Sequence, residues 1–221
     1  MPSAVIFDMD GVLVDSGAAH HESWQRVTRE RGMQVSRERF NETFGRPSPD
    51  IIRIIWGDHV SPEEVERISD DKERIYRKIV TGNLPLMPGC AALLGRLHAA
   101  GLTLAVATSG PKENLDLVLR EGEIEAYFAA TVTGFEIAHG KPAPDCFQLA
   151  AQRIGRSPDE CVVVEDAPVG VRAGVAAGMK VIGLAGTHAP EPLWEAGAAR
   201  VVTTLTDITP EMIESLLAGT S

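Results

Sequence analysis

The chain has 221 residues, 44% of them apolar and 24% charged, with 31 acidic against 21 basic side chains for a formal net charge of −10. That length suits one large domain, or a core with a small second unit, and leaves room for a sizeable apolar interior. The acidic balance argues against a nucleic-acid or anionic-membrane surface, which rests on basic patches, so a phosphorylated ligand would have to be attracted locally.

The first predicted element is a strand over 4–7, an apolar run that stops at Asp8 and Asp10. Side chains two apart on extended backbone share a face, and open α/β sheets bind ligands at the carboxyl ends of their strands. Two acids so close repel unless a cation lies between them or one holds a proton. Aspartate can act as a nucleophile and form an aspartyl-phosphate. A hard divalent ion such as Mg²⁺ takes oxygen ligands and neutralises carboxylate and phosphate alike. A turn or helix cap also explains an Asp-x-Asp at a strand end, and the tripeptide alone leaves both readings open. An acid this early speaks against a signal peptide, and no apolar run approaches the ~18 residues of a membrane span, so a cytoplasmic protein is expected.

Residues 15–85 follow with helix signals and few strand signals. Ser61-Pro62-Glu63-Glu64 reads as a capping box that opens a charged helix to about residue 80. Trp24 and Trp56 are expected in the core of this insert. His20 reads equally as a functional or an ordinary core or solvated histidine. Gly45-Arg46-Pro47-Ser48 either presents Arg46 to an anion or simply enters a helix, and Lys72 lies in a helix of alternating charge that is usually solvated.

Beyond the insert, helical spacing over 88–100 leads to a strand over 102–107 that ends in Thr108-Ser109-Gly110. Amide groups at the start of the next helix, 112–119, would favour a phosphate there. A strand over 130–133, the turn Gly140-Lys141-Pro142 and a helix over 144–154 come next. Strands over 161–164 and 180–184 bracket Glu165-Asp166 and the glycines 170, 174 and 178, whose spacing suggests close helix packing. Cys90, Cys146 and Cys161 are scattered and read as reduced core residues. Continuous apolar strands alternating with helices predict a doubly wound, Rossmann-like parallel α/β sheet. Residues 1–14 and 86–221 would form this core, and 15–85 an inserted α-helical cap with hinges at its ends.

Four segments, in order, carry a resemblance: 7–16 around Asp8-Met9-Asp10-Gly11, 102–110 ending in Thr108-Ser109, Gly140-Lys141-Pro142, and 162–170 around Glu165-Asp166. Together they resemble the haloacid dehalogenase superfamily, in its phosphatase branch with a helical cap, which includes the β-phosphoglucomutase-like and sugar-phosphate phosphatase group. The resemblance implies that Asp8 is the nucleophile and Asp10 the general acid and base. Thr108 and the Ser109 backbone N–H would hold the phosphoryl group, with Lys141 balancing charge. Mg²⁺ would be bound by Asp8, Asp166 and the Asp10 carbonyl, and by Glu165 directly or through water. Phosphoryl transfer calls for such an inventory, since it depends on positioning and charge neutralisation.

The expected function is therefore a Mg²⁺-dependent phosphomonoester hydrolase acting on a small phosphorylated metabolite, plausibly a sugar phosphate, with His20, Arg46 and Lys72 as candidate substrate contacts. No nucleic-acid or membrane partner is expected, and the chain would be a monomer or weak homodimer. The alternative is a phosphosugar mutase, because His20 and Lys72 match that group's pattern. Against it, Ser48 stands where the group has an arginine for a second phosphate. A dehalogenase has no need of Asp10 or of metal. A receiver-type signalling module would be half this length and lack the insert.

Overall fold

The computed structural model describes residues 3–219. Strand β1 (Ala4–Phe7) is followed by four helices, α1 (Gly17–Arg29), α2 (Arg37–Thr43), α3 (Ser48–Trp56) and α4 (Pro62–Val80). Then come α5 (Cys90–Ala99), β2 (Thr103–Ala107), α6 (Lys112–Glu121), β3 (Phe128–Val132), α7 (Asp145–Arg153), β4 (Cys161–Glu165), α8 (Pro168–Ala176), β5 (Lys180–Leu184), α9 (Pro190–Glu195), β6 (Arg200–Val202) and α10 (Pro210–Ala218). The six strands form one parallel sheet in the order β3-β2-β1-β4-β5-β6. The α/β fold class expected from the sequence is the one observed.

Strand residues alternate between two apolar layers, as the period of two requires. Val5, Phe7, Leu104, Val106, Val162 and Val164 face α5, α6 and α10. Ala4, Ile6, Ala105, Ala107, Cys161 and Val163 face α7, α8 and α9. Both faces are covered, which explains why the strands read as unbroken apolar runs. All three cysteines are free and buried. Among the described residues no helix is long and apolar enough to cross a membrane.

Some boundaries depart from expectation. Strand β3 begins at Phe128 and stops before Thr133, because Glu136 Oε2 accepts from both the Thr133 N–H (2.7 Å) and its hydroxyl (2.8 Å), turning the chain out of the sheet. Strand β6 went unanticipated; three residues led by an exposed Arg200 give no pattern to read. Gly174 does permit close packing, since a Cβ there would meet Val181 at 2.7 Å, but Gly170 instead makes room for the Glu165 carboxylate.

The helices α1–α4 enclose an apolar cluster of their own, with Trp24, Val27, Phe40, Ile52 and Ile68 at its centre. Ser61 caps α4 by accepting from the Glu64 N–H at 3.3 Å. The two chain segments that join these helices to the sheet run side by side: the Asp15 N–H donates to the Pro85 carbonyl (2.8 Å) and the Met87 N–H to that of Leu13 (2.9 Å). Val14 and Leu86 form an antiparallel bridge between them.

Candidate active site

In this strand order the chain winds outward from β1 in one direction and then crosses to β4, so the crevice beside β1 is where ligands bind in such sheets. Asp8 follows β1, Thr108 follows β2, and Glu165 and Asp166 end and follow β4. Lys141 arrives on the loop before α7. The sheet thus brings the residues of all four sequence motifs to one edge.

Lys141 is buried between two carboxylates, its Nζ donating to Asp8 Oδ1 (2.5 Å) and Glu165 Oε1 (2.8 Å). Burial works against its charge, but Asp8 and Glu165 outweigh that and hold it well above the ordinary lysine value. Glu165 Oε2 accepts from the Ala167 N–H at 2.6 Å, so both of its oxygens are engaged. Burial pushes the Asp8 carboxyl up to about 7, with Lys141 pulling against it and Glu165 and Asp10 adding to it.

Asp166 is different. Among the described residues neither of its buried oxygens has a hydrogen bond within 3.5 Å, and burial, with Glu165 and Asp8 nearby, raises its pKa well above the carboxylate range against smaller pulls from the Thr187 hydroxyl and Lys141. A buried polar group left unpaired is costly and calls for an explanation. Gly11, at φ +82°, comes so close that a Cβ on it would lie 1.9 Å from Asp166 Oδ2. The turn carrying Gly11 is closed by the Met9 carbonyl, which accepts from the N–H groups of Val12, Leu13 and Val14. Orphaned hard oxygens beside a second carboxylate fit a divalent cation such as Mg²⁺. Among the described residues no three acidic, histidine or cysteine side chains converge as a ready cage. Both Glu165 oxygens are engaged and Asp10 faces His20, whereas Asp8 has only Oδ1 bonded to Lys141, so Asp8 and Asp166 keep side-chain oxygens for an ion and Glu165 would reach one through water.

Thr108 is buried, and its hydroxyl accepts from the Gly110 N–H at 3.0 Å, leaving its own proton to donate. The Ser109 hydroxyl is committed to the Gly45 carbonyl of the cap (3.1 Å), so its backbone is the part left to serve a phosphate.

The candidate cap residues fall into two groups. His20 and Lys72 are buried together: His20 Nε2 meets Asp10 Oδ1 at 2.8 Å and its Nδ1 meets Lys72 Nζ at 2.8 Å. An ammonium can only donate, so Nδ1 accepts and Nε2 carries the proton given to Asp10. The ring stacks on Tyr76, with centroids 4.0 Å apart and planes at 3°. Burial works against ionising Asp10, but the His20 contact, with Lys72 behind it, outweighs that and holds the carboxyl below the usual value. Lys72 is not solvated. It is 3% exposed and also donates to Glu73 Oε1 at 2.9 Å. Arg46, by contrast, lines the cavity half-buried, with no carboxylate partner recorded among the described residues.

Sequence reasoning missed Glu73, Asn114 and the role of Ser48. Glu73 Oε1 also accepts from the Ser48 hydroxyl (2.7 Å), and its Oε2 accepts from Asn114 Nδ2 (2.7 Å). Burial pulls Glu73 up, but Lys72 and His20 outweigh it and keep the carboxyl below its ordinary value. A signal existed: Val65, Ile68, Lys72, Tyr76 and Val80 share the buried stripe of α4, so a charge at position 72 interrupts a core-facing pattern.

The cavity between cap and sheet edge is lined by Asp8, Asp10, His20, Arg46, Thr108 and Asn114, among others. Its inner end holds the carboxylates of Asp8 and Asp10 and the Thr108 hydroxyl; its outer end is built by α1–α4 and the loop before α3.

The chain is similar in sequence and fold to known proteins. A phosphorylated carbohydrates phosphatase from Thermotoga maritima is 30% identical over 205 residues, covering 90% of this chain and 93% of that protein. A β-phosphoglucomutase from Bacillus subtilis is 31% identical over 217 residues, 95% of this chain and 93% of that protein. A β-phosphoglucomutase structure from Clostridium difficile superposes with a TM-score of 0.88 over 99% of this chain and 98% of that one, a likeness of fold at 23% identity. The model of the haloacid dehalogenase-like hydrolases matches residues 2–178, and on that match the chain belongs to this family of hydrolases.

Proposed function

We propose that the protein is a Mg²⁺-dependent phosphatase that hydrolyses the monophosphate ester of a small sugar or polyol through an aspartyl-phosphate on Asp8. The observation that supports this reading is the pair of buried Asp166 oxygens, without a hydrogen bond among the described residues and beside the Asp8 carboxylate, an arrangement that suits a divalent cation. Asp8, Asp166 and the Asp10 carbonyl would hold the ion, which supplies charge neutralisation for the carboxylates and the phosphoryl group.

In the first half-reaction a carboxylate oxygen of Asp8 forms a bond to phosphorus as the bond to the ester oxygen breaks. Asp10 gives a proton to the departing oxygen, and Lys141 and Thr108 stabilise the charge on the transferring group. In the second half, Asp10, now a carboxylate, takes a proton from water. The water oxygen bonds to phosphorus, and the bond to Asp8 breaks to release phosphate. Asp10 is held ionised when no phosphate faces it, the form the second half needs. An arriving phosphate dianion raises its pKa and favours the acid form for the first half.

The chemistry at the outer end favours a hydrolase over a mutase. A mutase must grip a second phosphate, which asks for unpaired cations. Lys72 is neutralised by Glu73, and Ser48, at the position of the mutase arginine, is tied to the same carboxylate. Arg46 remains for the rest of the substrate. The mutase reading is kept alive by the relative named for that activity and by the His20–Lys72 pair. Phosphorus NMR with Mg²⁺ and either β-glucose 1-phosphate or a panel of sugar monophosphates separates the two. Free phosphate accumulates if the proposal holds, whereas conversion to glucose 6-phosphate without phosphate release overturns it.

A further inference from the structure

The hydrogen-bonded chain that reaches Asp10 does not end in the cap. It runs from Asp10 to His20, Lys72 and Glu73, and then returns to the sheet domain at Asn114 on α6. Asn114 is 1% exposed on a helix whose other buried residues, Leu115, Leu117, Val118 and Leu119, are all apolar. A buried amide on such a face is costly unless both of its ends are bonded. Both are. Its Nδ2 donates to Glu73 Oε2 at 2.7 Å, and its Oδ1 accepts from Arg77 Nη1 at 2.8 Å. Both partners lie on α4, so one amide in the core reads one helix of the cap, in one orientation.

We propose that Asn114 and Glu73 are positioning residues for Asp10, acting on it through Lys72 and His20. The inference rests on the phosphatase reading. Glu73 is fixed by donors from three helices: Ser48 at the start of α3, Lys72 on α4 and Asn114 on α6. Its Oε1 holds the Lys72 ammonium, the ammonium fixes which nitrogen of His20 accepts, and that choice directs the other N–H at Asp10. With Asn114 removed, Oε2 loses the donor that reaches it across the seam. The carboxylate can then rotate and take Lys72 with it.

A purely structural clasp would weaken the whole enzyme evenly, whereas a positioning role selects for chemistry that needs a proton. p-Nitrophenyl phosphate and phenyl phosphate are alike in shape, but the nitrophenolate leaves without protonation and the phenolate does not. Asn114→Leu and the near-isosteric Glu73→Gln should each lower kcat/KM for phenyl phosphate at least tenfold more than for p-nitrophenyl phosphate. Arg77→Met should act in the same direction, and covers the case in which a buried substitution fails to fold. Equal losses on both esters would overturn the proposal. Imidazole nitrogen NMR of His20 supplies a readout that needs no turnover: one neutral tautomer with the proton on Nε2 is expected in the parent, and a tautomer mixture in the variants. An unchanged His20 spectrum would overturn the positioning role. If the parent protein released no phosphate from either ester while the His20 spectrum still responded, the phosphatase reading would fall and the positioning chain would stand.

Discussion

Replacing Asp8 by Asn should stabilise this protein in metal-free solution while abolishing its turnover, and the size of the gain should depend on pH. Burial carries the Asp8 carboxyl from 3.8 to about 7. The folded protein therefore keeps a proton that the unfolded chain gives up, and across that window stability falls as pH rises. At about 1.4 kcal/mol for each pH unit, the penalty reaches a ceiling of about 4 kcal/mol above pH ~7 and vanishes below pH ~4. An amide of nearly the same shape carries no charge and escapes it. Lys141 is not orphaned by the change, because Glu165 still holds it at 2.8 Å. Urea unfolding with EDTA present, near pH 4, 6 and 8, should show the variant more stable by about 2–4 kcal/mol at the highest pH, shrinking toward zero at the lowest. Phosphate release should drop to background, since an amide cannot form the acyl phosphate. A variant no more stable than the parent at high pH, or a gain that ignores pH, would refute the electrostatic account of this site.

Three further substitutions and one ligand test the remaining parts. Mg²⁺ should raise the melting temperature more at pH 8 than at pH 6, because the cation binds Asp8 and Asp166 in their deprotonated forms and both carboxyls are raised; turnover should vanish with EDTA and return with Mg²⁺. Lys141→Ala should lower kcat by at least about a hundredfold and destabilise the fold by a few kcal/mol, since breaking one side of a buried ion pair costs about 3–5 kcal/mol before proton uptake by the carboxylates offsets it; thermal melts alongside steady-state assays separate the two effects. Gly11→Ala should abolish the Mg²⁺-dependent rise in melting temperature, because its Cβ would collide with Asp166 Oδ2. Arg46→Ala should reduce turnover of the preferred sugar phosphate far more than that of p-nitrophenyl phosphate, and equal losses would remove its role in reading the leaving group.

The sheet edge was legible because its chemistry sits where strands stop. Asp8, Thr108 and Glu165-Asp166 each end an apolar run, and a carboxylate or hydroxyl pair after a buried strand has few other reasons to exist. The segment α1–α4 was legible only as a run of helices between β1 and β2. Glu73 hides in a run of charges, Asp70-Asp71-Lys72-Glu73-Arg74, where nothing but helical phase tells buried positions 72 and 73 from their exposed neighbours 70 and 74. Asn114 hides similarly at the start of an ordinary amphipathic helix, and its partner is 41 residues away in sequence. Contacts of that kind are made by tertiary packing, and local pattern carries no record of them.

The separate apolar cluster inside α1–α4 has a consequence for how the enzyme changes over evolutionary time. Trp24, Phe40 and Ile52 pack among themselves, and the bridging patch of Ala19, Tyr76, Val80 and Leu117 is small. The outer walls of the cavity therefore stand on a foundation that shares little with the sheet. Within the 44–49 loop Gly45 and Ser48 are tied to Ser109 and Glu73 and would carry a change into the site, whereas a change at Arg46, whose side chain has no part in those bonds, can retune what is accepted with little disturbance of the sheet edge.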